Sequence, residues 1–89
     1  MSMTATTTDV EIRVLLFASY AERLGQDVLE LHVPVATTVA DVLERLRALP
    51  GGDQLPRRPL CALNLSHVGL DVRVSEGDEL AILPPLAGG

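Results

Sequence analysis

TTVADVLERLRALPGG, residues 37–52, carries a helix start, a helical period and a helix stop in one run. Thr38 is placed to cap the first turn, and Asp41 three residues later resembles a capping box while meeting the positive end of the helix dipole. Val39, Val42, Leu43, Leu46 and Leu49 then recur on one apolar stripe. Asp41 with Arg45, and Glu44 with Arg47, are spaced to pair on the solvent side, each pair worth about 0.3 kcal/mol. Pro50-Gly51-Gly52 closes the helix, which gives this internal Gly-Gly a structural explanation. One stripe must be buried against something else, so the decision about the fold passes to the flanking segments.

Those segments read as strands. VEIRVLLF (10–17) alternates first, with Val10, Ile12 and Val14 against Glu11 and Arg13, and turns apolar on both faces from Leu15. That pattern fits a strand leaving an edge for a buried position. ASYAERLG places Ala21 and Leu24 at helical spacing and stops at Gly25, enough for one helical turn or a wide loop. DVLELHV (27–33) alternates cleanly, Leu29, Leu31 and Val33 inward and Glu30 and His32 outward, until Pro34 ends it. After the helix, DQLPRRP (53–59) reads as a loop, LCALNL (60–65) as a buried strand and SHVGLD as a connection. VRV (72–74) reads as a short strand, SEGD (75–78) as a turn with Gly77 at positive φ, and ELAIL (79–83) as the last strand. The economical way to bury a single helical stripe is across one face of a sheet made from all the strands, an α+β two-layer domain.

Composition narrows the function classes. The chain has 89 residues, room for one core, and 47% of them are hydrophobic. Only Phe17 and Tyr20 are aromatic, and the net charge is −5, from 12 acidic residues against 7 arginines and no lysine. A nucleic acid would be repelled and would find no stacking platform. Cys61 is the only cysteine, so no internal disulfide forms and no cysteine cluster holds a metal. No apolar run reaches the roughly 20 residues that span a membrane, and residues 1–9 lack the marks of a signal peptide. The expectation is a cytoplasmic protein with a disordered N-terminal tail over 1–9, a folded domain over 10–85 and a flexible tail over 86–89.

Catalytic constellations are missing. His32 alternates outward, His67 sits in a connection, and Cys61 lies in an apolar run as a buried small hydrophobe. Glu76, Asp78 and Glu79 flank a turn and read as a solvated hairpin tip. No phosphate-cradling glycine motif is present, so no nucleotide site is expected. The end of the chain, ILPPLAGG, is different. Pro84 and Pro85 cannot donate to a ladder, so the strand stops and the chain takes an extended course. Gly88 and Gly89 have no Cβ, and such a tail threads a narrow channel to bring its carboxylate to another protein's active site. A carboxylate is a poor electrophile until activated, typically by adenylation, so the inference is a carrier or substrate handled by a separate ATP-using enzyme.

With the strand ending in FA, the capped helix, ALN (62–64), GDEL (77–80) and ILPPLAGG in this order, the chain resembles the ubiquitin-like sulfur carriers. Among them it is most similar to the MoaD family, the small subunits of molybdopterin synthase, over about residues 10–89. The resemblance implies a β-grasp fold, a mixed sheet of four to five strands packed against one main helix. It also implies that an E1-like (MoeB-like) adenylyltransferase activates Gly89, that sulfur then replaces one oxygen as a thiocarboxylate, and that this sulfur helps build the dithiolene of molybdopterin. Carried over to this sequence, Gly89 bears the sulfur, Gly88 supplies slim backbone, Leu86 and Ala87 are tail contacts, and Pro84 and Pro85 launch the tail. A MoaE-like large subunit would be the partner, in a heterotetramer, with the catalytic groups mostly on that subunit and no cofactor or metal bound to this one. Apolar residues of the exposed sheet face would dock it. LSHVGLDVRV after Asn64 departs from the family in being more apolar. The alternatives are a carrier for thiamine, cysteine or tRNA thiolation, a protein modifier conjugated through Gly89, and a plain interaction module with an inert tail.

Overall fold

The computed structural model describes residues 9–85. Within them the chain runs β1 (Asp9–Leu16), α1 (Ala18–Leu24), β2 (Val28–Pro34), α2 (Val39–Arg47), a 3-10 turn (Gly52–Gln54), β3 (Leu60–Leu63), β4 (Ser66–Val68) and β5 (Glu79–Leu83). β1 starts at Asp9, one residue before the expected boundary. The strands form one mixed sheet in the order β2-β1-β5-β3-β4. β1 and β5 lie parallel at its centre, and the other neighbours are antiparallel. One main helix, α2, supplies the stripe this sheet covers, the β-grasp arrangement that the resemblance implied.

α2 forms as its sequence directs. Thr38 Oγ1 accepts from the Asp41 N–H at 3.2 Å, and the Asp41 carboxylate accepts from the Thr38 N–H at 3.1 Å, so both halves of the capping box are present. These hydrogen bonds hold the Asp41 carboxyl below its ordinary pKa. Val39, Val42, Leu43 and Leu46 are buried against Ile12, Val14, Leu16, Val33, Leu80 and Ile82 of the sheet in one core. Burying a side chain of this size contributes about 1.5–3 kcal/mol. Among the described residues neither expected surface pair closes to an ion pair. Arg47 instead donates to the Leu55 carbonyl across the chain reversal, which takes its guanidinium away from Glu44.

Three expectations after the helix need correction. The strand expected over 60–65 ends at Leu63, because Asn64 and Leu65 both take positive φ, 51° and 75°, and turn the chain in two residues. The expected connection SHVGLD therefore begins as β4, pairing Ser66 with Leu63 and Val68 with Cys61, and His67 lies on a strand. VRV is no strand of the sheet. The Leu70 and Val72 carbonyls accept from the N–H groups of Ala40 and Val39, and the Val74 N–H donates to the Thr37 carbonyl. The segment's hydrogen bonds are spent on the exposed donors of the α2 N-terminus, which a helix cannot satisfy internally. Leu55, inside the expected loop, is a core residue at 2% exposure.

The mixed pattern read in β1 has a concrete counterpart. Asp9 to Leu15 pair with β2, but only Arg13 to Leu16 pair with β5. Beside its first half lies the 75–78 turn, where the Gly77 N–H donates to the Glu11 carbonyl at 2.8 Å.

Candidate functional site

The sheet has one face on α2 and one open face, and register decides which side chains each displays. With Ile12, Val14, Leu80, Ile82 and Cys61 inward, the open face carries Glu11, Arg13 and Leu15 from β1, and Val28, Glu30 and His32 from β2. It also carries Glu79, Ala81 and Leu83 from β5, and Leu60 and Ala62 from β3. These residues separate by chemistry along the strand direction. At the end where β5 begins they are charged: Arg13 lies 3.8 Å from Glu30 and 4.0 Å from Glu79, and His32 lies 3.9 Å from Glu11. Exposed pairs of this kind contribute under about 1 kcal/mol each. At the end where β5 finishes they are apolar. Leu15 sits between Val28 and Ala81, Ala81 is opposite Ala62, and Leu83 is opposite Leu60.

That apolar end is exposed. Val28 and Leu60 are each 44% accessible, and Phe17, at the end of β1, is 43% accessible. The chain leaves β5 here, through half-buried Pro84 and exposed Pro85. Beside the exit lies a cleft of about 400 Å³ lined by Tyr20, Pro56, Arg58, Pro59, Leu60, Leu83 and Pro85. The structure thus places Pro84 and Pro85 at the rim of an apolar surface. Leu86, Ala87, Gly88 and Gly89 lie outside the described residues. Sequence reasoning anticipated an apolar docking face without naming its members. The signal in the chain was the change of β1 from alternating to apolar on both sides at Leu15.

A second recess, of about 360 Å³, opens at the charged end among Glu11, Arg13, Glu30, Glu76, Asp78 and Glu79. It is built of structural contacts. Glu76 accepts from the Glu11 N–H at 2.9 Å, Asp78 accepts from the Ser75 N–H at 2.7 Å and from the Asn64 amide at 2.9 Å, and the Glu79 N–H donates to Asn64 Oδ1 at 3.0 Å. The group read as a solvated hairpin tip instead fastens the 75–78 turn to β1 and to the β3–β4 turn. Among the described residues no cluster of His, Cys, Asp or Glu could hold a metal ion. Nor is any helix among them long and apolar enough to cross a membrane.

Cys61 is buried at 2% exposure with its thiol 3.6 Å from the Pro59 carbonyl. Burial raises its pKa from 9.0 to about 11. The folded protein therefore holds this proton more tightly than the unfolded chain, so the thiol's contribution is complete below pH 9.0 and is lost as pH rises through about 11. We expect the thiol to resist alkylation at about pH 8 in the native protein and to react at once in denaturant, because the thiolate is the nucleophile. Native labelling at the rate of a free thiol would contradict the buried assignment.

The comparisons with known proteins agree with this geometry. The ThiS family model matches residues 14–89. The chain is 37% identical over 84 residues to a molybdopterin synthase sulfur carrier subunit of Arabidopsis thaliana, covering 93% of this chain and 88% of that protein. Among solved structures it resembles SAMP1 of Haloferax volcanii, a small archaeal modifier protein, with a TM-score of 0.76 at 30% identity, covering 89% of this chain and 99% of the other. It shares its fold with a chain in the complex of subunits 1 and 2 of the molybdopterin-converting factor of Helicobacter pylori. That match has a TM-score of 0.65 at 20% identity, covering 90% of this chain and 100% of the other.

Proposed function

The chain belongs to the ThiS family, and from that premise we propose that it is the sulfur carrier subunit of a molybdopterin synthase. The observation that carries the reading is the direction of exit. A central strand, hydrogen-bonded on both sides, ends at the apolar rim of an uncovered sheet face and continues into Pro84-Pro85 and the sequence LAGG. Pairing on both sides fixes the point at which Pro84 leaves the sheet.

In this reading Gly89 supplies the reacting carboxylate. An E1-like adenylyltransferase uses ATP to form the acyl-adenylate with loss of pyrophosphate, and a sulfur donor then displaces AMP to leave a thiocarboxylate. Leu86, Ala87 and Gly88 carry that group into a large subunit, where the sulfur passes to the pterin precursor. The apolar half of the open face, centred on Leu15, Leu60, Ala81 and Leu83 with Phe17 and Val28 at its margin, docks the large subunit in a heterotetramer. The cytoplasm, which is reducing, suits a protein whose product is a thioacid. Support comes from the Arabidopsis relative's name, from the shared fold of the Helicobacter pylori complex, and from the match of the family model through residue 89.

Intact mass spectrometry of the protein incubated with its activating enzyme, ATP and a sulfur donor tests the reading. The expected product is heavier by the exchange of one oxygen for sulfur, localised to Gly89. Persistent absence of that product, with an activating enzyme proven on another carrier, would overturn it. The likeness to SAMP1 supports a second reading, conjugation of Gly89 to lysines of other proteins, which predicts a covalent ladder on a denaturing blot.

A further inference from the structure

The arginines are not spread evenly. Arg13 is spent on Glu30 and Glu79, Arg23 donates to Gln54 at 2.9 Å, and Arg47 donates to the Leu55 carbonyl. Arg45 and Arg73 stand singly, on α2 and in the segment against its N-terminus, and like them Arg57 and Arg58 are exposed and form no ion pair among the described residues; what sets the last two apart is that they are adjacent. They stand at the apex of a short loop whose two ends are fixed, Leu55 in the core on one side and Cys61 on the other. Pro56 and Pro59 bracket the pair and restrict its backbone, so little conformational freedom is left to lose when a partner arrives.

This loop forms the wall of the cleft at the tail's exit. Among the described residues no Asp or Glu lines that cleft, although the protein as a whole carries a net charge of −5. The recess at the opposite end of the sheet has Glu11, Glu30, Glu76, Asp78 and Glu79 among its lining residues, against Arg13 alone. Charge is therefore polarised about the open face: the acidic recess lies at one end, and the apolar end where the chain leaves is flanked by the Arg57-Arg58 loop. Arg58 lines this apolar cleft and Arg57 precedes it in the same loop, and a guanidinium presents a planar donor fork, the geometry that carboxylates fit best.

We propose that this cleft is a specificity pocket for the large synthase subunit, taking an apolar side chain of that subunit with a carboxylate beside it that pairs with Arg57 and Arg58. The inference rests on the sulfur-carrier reading and adds to it the contact that orients the docked partner. The pocket is continuous with the apolar half of the open face, since Leu60 and Leu83 belong to both. An acidic rim on the partner then meets the basic end of this protein, and the reversed orientation sets like charges against each other.

The test measures binding of the cognate large subunit at low and high salt. The double variant Arg57→Glu/Arg58→Glu should weaken binding by about tenfold or more at low salt, with the difference shrinking as salt rises. Arg57→Lys/Arg58→Lys should recover part of the loss. Leu60→Gln should weaken binding by a factor that salt does not change. All three sites are exposed, so unchanged thermal midpoints check folding. Loading of the double-reversal variant with sulfur by the activating enzyme should stay within about twofold of the parent. The inference is overturned if either the double reversal or Leu60→Gln binds within about twofold of the parent, or if the double reversal loses loading and keeps binding. A parent protein that takes up sulfur but ignores the large subunit also overturns it, while one that takes up no sulfur overturns the carrier reading itself.

Discussion

We expect deletion of Gly88 and Gly89 to reduce molybdopterin formation to the assay blank while leaving the thermal midpoint of this protein unchanged within about 2 °C. The second half of that expectation comes from where the fold closes. Among the described residues the last strand ends at Leu83 and the last member of the buried core is Ile82, and the final two residues, being glycines, have no side chain to withdraw. A stability change of 1 kcal/mol would shift the midpoint of a domain this size by about 4–8 °C, so a loss of core contacts would be plain. The first half comes from the chemistry. With the terminus at Ala87 the carboxylate sits two residues short, roughly 7 Å at full extension, which no hydrogen bond or adjustment of a docked globule recovers. The assay is conversion of the pterin precursor by the reconstituted complex with pre-loaded carrier. An active deletion variant would mean that the tail is inert and that the chain is a docking module. A variant that is inactive and also melts early would place the glycines in the fold.

Much of this architecture is legible in the sequence because its strongest elements announce themselves twice. α2 has a period and a capping box, and the structure reproduces both. β2 has clean alternation, and its inward residues are those the pattern selects, whereas in β5 both faces are apolar and the sheet turns Leu80 and Ile82 to the core. The features that failed to show have identifiable causes. The β3–β4 hairpin is turned by Asn64-Leu65, and a leucine at φ 75° with 92% exposure carries none of the Asn-Gly signal that marks such turns. It is held because Asn64 is tied on both sides of its amide to Asp78 and Glu79, a contact across 14 and 15 residues that no local window contains. VRV looks like a strand since two valines flank an arginine, yet its partners are the helix N-terminus. The candidate site was legible as a tail and illegible as a surface. Which apolar side chains lie open depends on the pairing of β1 with β5, and that pairing is a fact about topology.

The internal Gly51-Gly52 pair is where sequence reasoning stopped too early, and it carries the largest expected effect on stability. As a helix stop it would tolerate alanine at about 1 kcal/mol. In the structure α2 already ends at Arg47, four residues before the first of these glycines. A Cβ on Gly52 would lie 1.8 Å from the Leu46 carbonyl oxygen and 3.0 Å from the Arg47 Cα, and one on Gly51 would lie 2.0 Å from the Arg23 carbonyl oxygen. Those neighbours are backbone, which cannot rotate away as a side chain can. The pair is thus the place where the chain passes between the last turns of α1 and α2. Making room for Gly52→Ala would strain the Gly52 N–H bond to Leu49 at 2.7 Å and the Leu55 N–H bond to Gly52 at 3.0 Å, and would draw Leu55 from the core. We expect Gly52→Ala to destabilise by about 3 kcal/mol or more, a large share of the roughly 5–15 kcal/mol that holds a domain of this kind. The matching fall in thermal midpoint is about 12 °C or more. Gly25→Ala is the internal control. It has a positive φ, 77°, which Gly52 lacks, and nothing lies within 4 Å of the added Cβ, so only the backbone cost remains, about 1 kcal/mol. Equal losses in denaturant unfolding would show that the Leu46 backbone gives way and that the close approach is incidental; a gap of about 2 kcal/mol between the two variants identifies it as the joint that locks both helices to the sheet.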